Sequence, residues 1–191
     1  MSAYHRGARE LEDRFDTRRL ADRLAEKLSR SAFTAEDTAF VEASSMFFLA
    51  TADTDGQPDC SYKGGVPGFV RVTGPSELSF PSYDGNGMFR SLGNVLVNPR
   101  VGILFIDFEK PRRLRVLGRA RLEDPDGTVQ GAQLMVRVQA EAIFPNCPRY
   151  IHRVQVVETS VYAPRPGHEP PEPRWKQSFR DVLPGKSETP D

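Results

Sequence analysis

The chain is 191 residues long and carries 26 basic and 26 acidic side chains, a formal net charge of zero. A chain of this size makes one domain and buries roughly 70% of its unfolded surface, and its charge balance excludes a general attraction to nucleic acid or to an anionic membrane. Its longest apolar run, Met46 to Ala50, is too short to cross a bilayer.

Residues 1–10 carry no apolar run of signal length and read as a mobile end. Two cysteines, Cys60 and Cys147, are too few for a disulfide framework, and their spacing fits no zinc motif. Together these features predict a reducing, cytoplasmic setting. From Leu11 the pattern turns helical: Leu20, Leu24 and Leu28 recur every four residues among charged side chains. That stripe predicts an amphipathic helix lying on the main body or on a partner subunit. Thr34-Ala-Glu-Asp37 predicts a second helix start, with Thr34 as N-cap, acids in the first turn, Phe40 and Val41 turned inward and an end near Ser44-Ser45.

Strands follow. Met46 to Ala52 is an almost continuous apolar run, Asp53-Thr-Asp-Gly56 is a turn by its chemistry, and Asp59 to Lys63 returns to close a hairpin. Gly64-Gly65 and Pro67-Gly68 interrupt, Phe69 to Val72 resumes, and Thr73 to Ser76 turns into Glu77–Phe80. A small-polar loop, Ser82 to Gly87, then leads into an apolar-periodic helix, Met88 to Val97, that stops at Asn98-Pro99. Arg100 to Asp107 is β-branched enough for a core strand. Arg112 to Leu122 alternates: Leu114, Val116, Gly118, Ala120 and Leu122 share one face, and Arg113, Arg115, Leu117, Arg119 and Arg121 the other. Leu134 to Phe144 alternates again, with helix as the rival because of Ala140-Glu-Ala142. Phe144 to Pro148 reads as a rigid loop, Arg153 to Val157 as a last short strand, and the proline-rich stretch after Tyr162 as a polyproline-like tail. Trp175, Phe179 and Val182 in that tail predict docking on the main body or on a second subunit. Six or more short strands at close spacing, with one short helix among them, predict a mainly β fold with flanking helices, a small closed barrel.

No hydrolytic triad is legible. His5 and His168 fall in segments read as mobile, His152 reads as a surface residue, Cys147 as a buried structural thiol, and Asp53 and Asp55 as turn formers. The stronger signal is an anion site. A strand, a Gly/Asn loop and a helix start gather backbone N–H groups and hydroxyls around one point. Arg90 and Ser91 add a charged fork and a hydroxyl to it, and Lys63 and the arginine face of the later strand add further charge.

The order of these motifs resembles the FMN-binding split-barrel superfamily of pyridoxamine 5′-phosphate oxidase-like proteins. The resemblance runs from about Ala39 to Arg153, through FFLATADTDGQPDCSYKGG, GFVRV, LSFPSYDGNGMFRSLGNVLVNPRVGILFIDF and RRLRVLGRARL, and FPNCPRYI is similar to a segment of its predicted flavin-nucleotide-binding subgroup. It implies a six-stranded, Greek-key-like split β-barrel over residues 39–162, preceded by a helical extension over 1–38 and followed by a docking tail over 163–191. It also implies a homodimer holding FMN in two symmetric clefts between subunits. Carried over by position, the cofactor-binding residues are Ser61, Tyr62 and Lys63 on the second strand, Ser82, Tyr83 and Asn86 in the loop, Arg90 and Ser91 at the helix start, and Arg113 and Arg115 on the long strand. Pro58-Asp-Cys-Ser-Tyr-Lys63 stands where a vitamin B6 phosphate oxidase carries an R-x-x-x-L-K-like run, so the resemblance does not extend to that substrate. The implied function is an FMN-dependent oxidoreductase acting on a small organic substrate. The alternatives are a non-catalytic FMN-binding module, a deazaflavin (F420)-dependent reductase, or a heme-binding relative.

Overall fold

The structure, a computed structural model, describes residues 4–184. Its centre is one seven-stranded antiparallel sheet: β1 (Met46–Ala52), β2 (Pro58–Gly64), β3 (Arg71–Gly74), β4 (Glu77–Tyr83), β5 (Arg100–Asp107), β6 (Arg112–Glu123) and β7 (Ala132–Asn146). The strands lie in the order β2-β1-β5-β6-β7-β4-β3. The count is seven where the sequence predicted a six-stranded barrel.

The sheet rolls without closing, so the closed barrel that the strand spacing predicts does not form. Phe47, second strand from one edge, meets Phe80, second from the other, edge-on at 4.8 Å between ring centroids. Phe69 and Phe105 complete the cluster around Phe47. Strands β2 and β3 remain as free edges, so the structure is a split barrel. Its inner face is set by period-two alternation: Phe47 and Leu49, Ile103 and Phe105, Leu114 and Val116, and Val136 and Val138 are all nearly fully buried.

One bulge redirects that alternation. Leu117 pairs with Ala142 and Gly118 with Ala140, leaving Glu141 extra. The slip lets Ile143 and Ala140, an odd number of residues apart, both face the core.

Three helices precede the sheet: α1 (Arg6–Arg14), α2 (Arg18–Leu28) and α3 (Ala35–Ala43). The predicted single amino-terminal helix is two, broken at Asp16, whose φ is +52°, and residues 6–10, expected to be mobile, are helical. None of the α1 or α2 residues is buried; Leu20 and Leu24 remain exposed. Helix α3 begins as predicted, in a capping box in which the Thr34 side chain accepts from the Asp37 N–H at 3.1 Å and the Asp37 carboxylate accepts from the Thr34 N–H at 3.0 Å. Asp37 is buried and also receives the Arg30 guanidinium at 2.5 Å. Arg112 from β6 stacks on Phe40 at 4.5 Å and pairs with Glu36 at 3.1 Å, which ties α3 to the sheet.

Helix α4 (Arg90–Val97) starts two residues later than predicted and ends at Asn98-Pro99. Ser82 and Tyr83, expected in the loop before it, close strand β4. The stretch from Leu134 is strand, not helix, because β4 pairs it as far as Gln139 on one side and β6 pairs it on the other, and the β6 pairing carries it through Pro145 and Asn146. The predicted strand at 153–157 does not form; among the described residues its tie to the sheet is one bond, from the Val154 N–H to the Phe108 carbonyl at 3.2 Å.

Beyond Tyr162 the tail folds back on its own chain. Ala163 is buried, Gln130 reaches the His168 carbonyl at 3.4 Å, and Lys176 pairs with Asp84. Trp175 packs on Phe179 within a short 3-10 turn, and both stay partly exposed. Residues 185–191 of the predicted docking tail lie outside the described residues.

Candidate functional site

Strand β2 alternates, and its inward face carries Asp59, Ser61 and Lys63 opposite Thr51, Leu49 and Phe47 of β1. Helix α4 lies across this face. Its N-cap, Phe89, has a φ of +47°, and among the described residues no side chain caps the first turn of α4. Ser91, one residue into the helix, is buried, and its Oγ lies 2.9 Å from the Ser61 Oγ and 2.7 Å from an Asp59 carboxylate oxygen. Arg90 approaches the other Asp59 oxygen at 3.8 Å. Asn94, one turn on, donates to the Thr51 hydroxyl at 3.1 Å and anchors the helix to β1. Burial holds the Lys63 ammonium below its usual range, and the Asp59 carboxylate opposes that shift. A shallow cavity opens here, lined by Asp53, Asp59, Arg90 and Asn94 among others. Asp53 serves the neighbouring turn: its carboxylate accepts from the Asp55 and Gln57 N–H groups, each at 2.9 Å.

The predicted arginine face is not one patch. Arg121 is held by Glu77 at 2.9 Å and Glu123 at 3.0 Å. Arg137 joins the same carboxylates across the sheet. Arg113 differs. Among the described residues its Nε is buried without a hydrogen-bond partner, and so is Oδ1 of Asn146, the residue directly opposite on β7. A buried donor and acceptor left unpaired side by side are costly. Ile106 lies in the same cross-strand row, opposite Arg113, and with Met46, Phe108, Val154 and Val156 it lines a mainly apolar groove.

The predicted site residues therefore divide. Ser61, Arg90 and Ser91 come together, with Lys63 on the same strand face. Arg113 and Arg115 lie on the outer face of the sheet, as does Tyr62, which stacks edge-on against Phe48. Ser82 and Tyr83 close β4; burial raises the Tyr83 phenol above its usual range. Asn86 caps its own loop by accepting from the Met88 N–H at 3.1 Å. Asp59 and Asn146 were missed. Period two from Lys63 back through Ser61 points to Asp59, whereas Asn146 was hidden by Pro145, which reads as loop chemistry. Cys147 is exposed, not buried as expected, and hydrogen bonds from the Arg149 backbone and side chain hold its thiol below the usual range. His152 is exposed, as expected of a surface residue.

A family model described as pyridoxamine 5′-phosphate oxidase matches residues 33–161. The chain belongs to the pyridoxamine 5′-phosphate oxidase family. The matched span takes in all seven strands, α3 and α4, and leaves α1, α2 and the tail beyond Val161 outside. No curated protein matches this family member. Among solved structures it is similar to HupZ of Group A Streptococcus, with 17% identity over 64% of this chain and 100% of that one and a TM-score of 0.48. It is similar to the heme-storage protein HutZ of Vibrio cholerae, with 21% identity, 57% and 91% coverage and a TM-score of 0.43. It is also similar to an FMN-binding protein of Syntrophomonas wolfei, with 12% identity, 72% and 97% coverage and a TM-score of 0.42. Among the described residues no helix is long and apolar enough to cross a membrane.

Proposed function

We propose that this family member is an FMN-binding flavoprotein, a cytoplasmic oxidoreductase acting on a small organic substrate, with the flavin held between two copies of the chain. The observation that carries the reading is the unpartnered pair, Arg113 Nε and Asn146 Oδ1. The pyrimidine edge of a flavin presents carbonyl oxygens beside an N–H, the complement of a donor beside an acceptor. The mainly apolar groove that Ile106 of the same row lines suits a flat ring. Bound FMN would supply hydride or electron transfer. The chain's part is to hold the ring edge and, through the Arg113 charge, to stabilise negative charge on the reduced ring.

Two copies are needed for a geometric reason. Ser61, Lys63 and Ser91 belong to the inner face and the α4 side, while Arg113 and Asn146 belong to the outer face. One sheet does not turn both groups toward one ligand; two sheets related by a two-fold axis do. The outer face supports such an arrangement, because Phe48, Tyr62, Leu104 and Leu117 form an apolar strip on it, with Tyr62 61% exposed and Leu117 43% exposed.

The test is to strip the purified chain of small molecules, titrate it with FMN and follow flavin fluorescence, thermal stability and sedimentation. Saturation at about one FMN per chain, a raised melting temperature and a dimer are expected. Stabilisation only by deazaflavin, or a Soret band in the purified protein, would replace FMN. FMN binding with no oxidation of reduced nicotinamide and no reoxidation in air would mark a holder and not an enzyme.

A further inference from the structure

The groups at the start of α4 that suit a phosphate are already engaged by a carboxylate. Ser91 Oγ has a single proton. With that proton directed to Asp59 at 2.7 Å, Ser61 donates to Ser91 in turn, and both hydroxyls are ordered around Asp59. Arg90 faces the second oxygen of the same carboxylate at 3.8 Å. The charged groups facing this point are Asp59, Arg90 and, along β2, Lys63, with Asp53 on the rim of the cavity. Two carboxylates against two cations leave no net positive charge for a dianion. An incoming phosphate would also meet the Asp59 charge at the hydroxyl it needs.

We propose that Asp59 competes with the flavin phosphate for Ser91 and Arg90, so that this chain takes the flavin as an exchangeable ligand and gains little from its phosphate. The inference rests on the flavin reading above and adds to it a rule of ligand choice: the site discriminates weakly between phosphorylated and unphosphorylated flavin, and one residue sets that discrimination. A like charge placed beside a ligand's charge is a common way to tune such choices.

The experiment compares FMN with riboflavin, which has the same ring and no phosphate. Dissociation constants are measured by fluorescence titration for the stripped full chain and for Asp59→Asn, with Asp59→Ser as a second variant should the first lose its fold. In the natural chain the two flavins are expected to bind with affinities within about threefold of each other. Asp59→Asn is expected to tighten FMN by about tenfold and to leave riboflavin unmoved, because only the phosphate meets the lost charge. A gain under about threefold for FMN, or an equal gain for riboflavin, would overturn the role of Asp59 while leaving flavin binding intact. If neither flavin binds any of the three proteins, the flavin reading fails and this inference fails with it.

Discussion

Substituting Gly118 with alanine tests the bulge that redirects β6 and β7. An added Cβ would sit 2.1 Å from the Gln139 carbonyl oxygen, 3.0 Å from its carbon and 3.1 Å from the Ala140 Cα. Every obstacle is backbone, so no rotamer change relieves the contact. Bringing the oxygen out to even 3.0 Å requires a retreat of 0.9 Å, across strands locked on both sides by β5 and β4. Overpacking of a well-packed interior costs about 1–3 kcal/mol, and each ladder bond stretched by the retreat adds about 1 kcal/mol. Gly118→Ala is therefore expected to cost about 3–4 kcal/mol, a fall in melting temperature of about 6–16 °C for a chain of this size. The control is Gly102→Ala, one strand away, where the Cβ would meet Leu117 Cδ2 at 3.5 Å and Ala50 Cβ at 3.8 Å, ordinary contact distances. That variant should melt within about 2 °C of the natural chain. Differential scanning calorimetry of the two variants decides the matter. A Gly118→Ala protein as stable as Gly102→Ala would refute the close approach and the packing argument built on it.

Asp37→Ala should cost about 2–3 kcal/mol, because it removes the capping box and takes from the Arg30 guanidinium its carboxylate partner. Burial pushes the Asp37 carboxyl up, but the Arg30 fork and the two Thr34 bonds outweigh it and hold the group below its ordinary 3.8. Its contribution is thus fully present above pH about 4 and is lost as the pH falls through the depressed value, so acid denaturation curves of Asp37→Ala and the natural chain should converge at low pH. Arg113→Ala should weaken FMN and riboflavin alike, by about tenfold, since it removes the proposed ring contact. Arg90, 68% exposed, should show a smaller and selective loss, about threefold for FMN and none for riboflavin when changed to Ala. Equal effects of the two substitutions on both ligands would contradict the separation of ring and phosphate groups. Iodoacetamide should label Cys147 before Cys60 at neutral pH, although both are exposed, and Arg149→Ala should slow that labelling. Peptide mass spectrometry over a time course reads the order directly.

Local chemistry alone determined much of this chain. Thr34 with Asp37 announces α3, Asp53 to Gly56 announces the β1–β2 turn, and Asn98-Pro99 ends α4. Period-two alternation in Arg112–Leu122 separates the buried face of β6 from its arginine face. These features depend on neighbours a few residues apart, so they are legible along the sequence. The order of motifs also carried the family, because the hairpin, the loop before α4 and the strand after it stand in series. What tertiary structure decided is what depends on pairing between distant segments. Residues 144–146 extend β7 because β6 lies beside them, despite Pro145. The bulge at Gly118 exists only in the register of two strands. The arginine face of β6 divided because Glu77 of β4 reaches Arg121, whereas among the described residues the Arg113 Nε is buried unpaired beside Asn146. Asp59, an ordinary strand-end acid by composition, gained its place at the start of α4 only when that helix folded across β2 and set Ser91 and Arg90 against it.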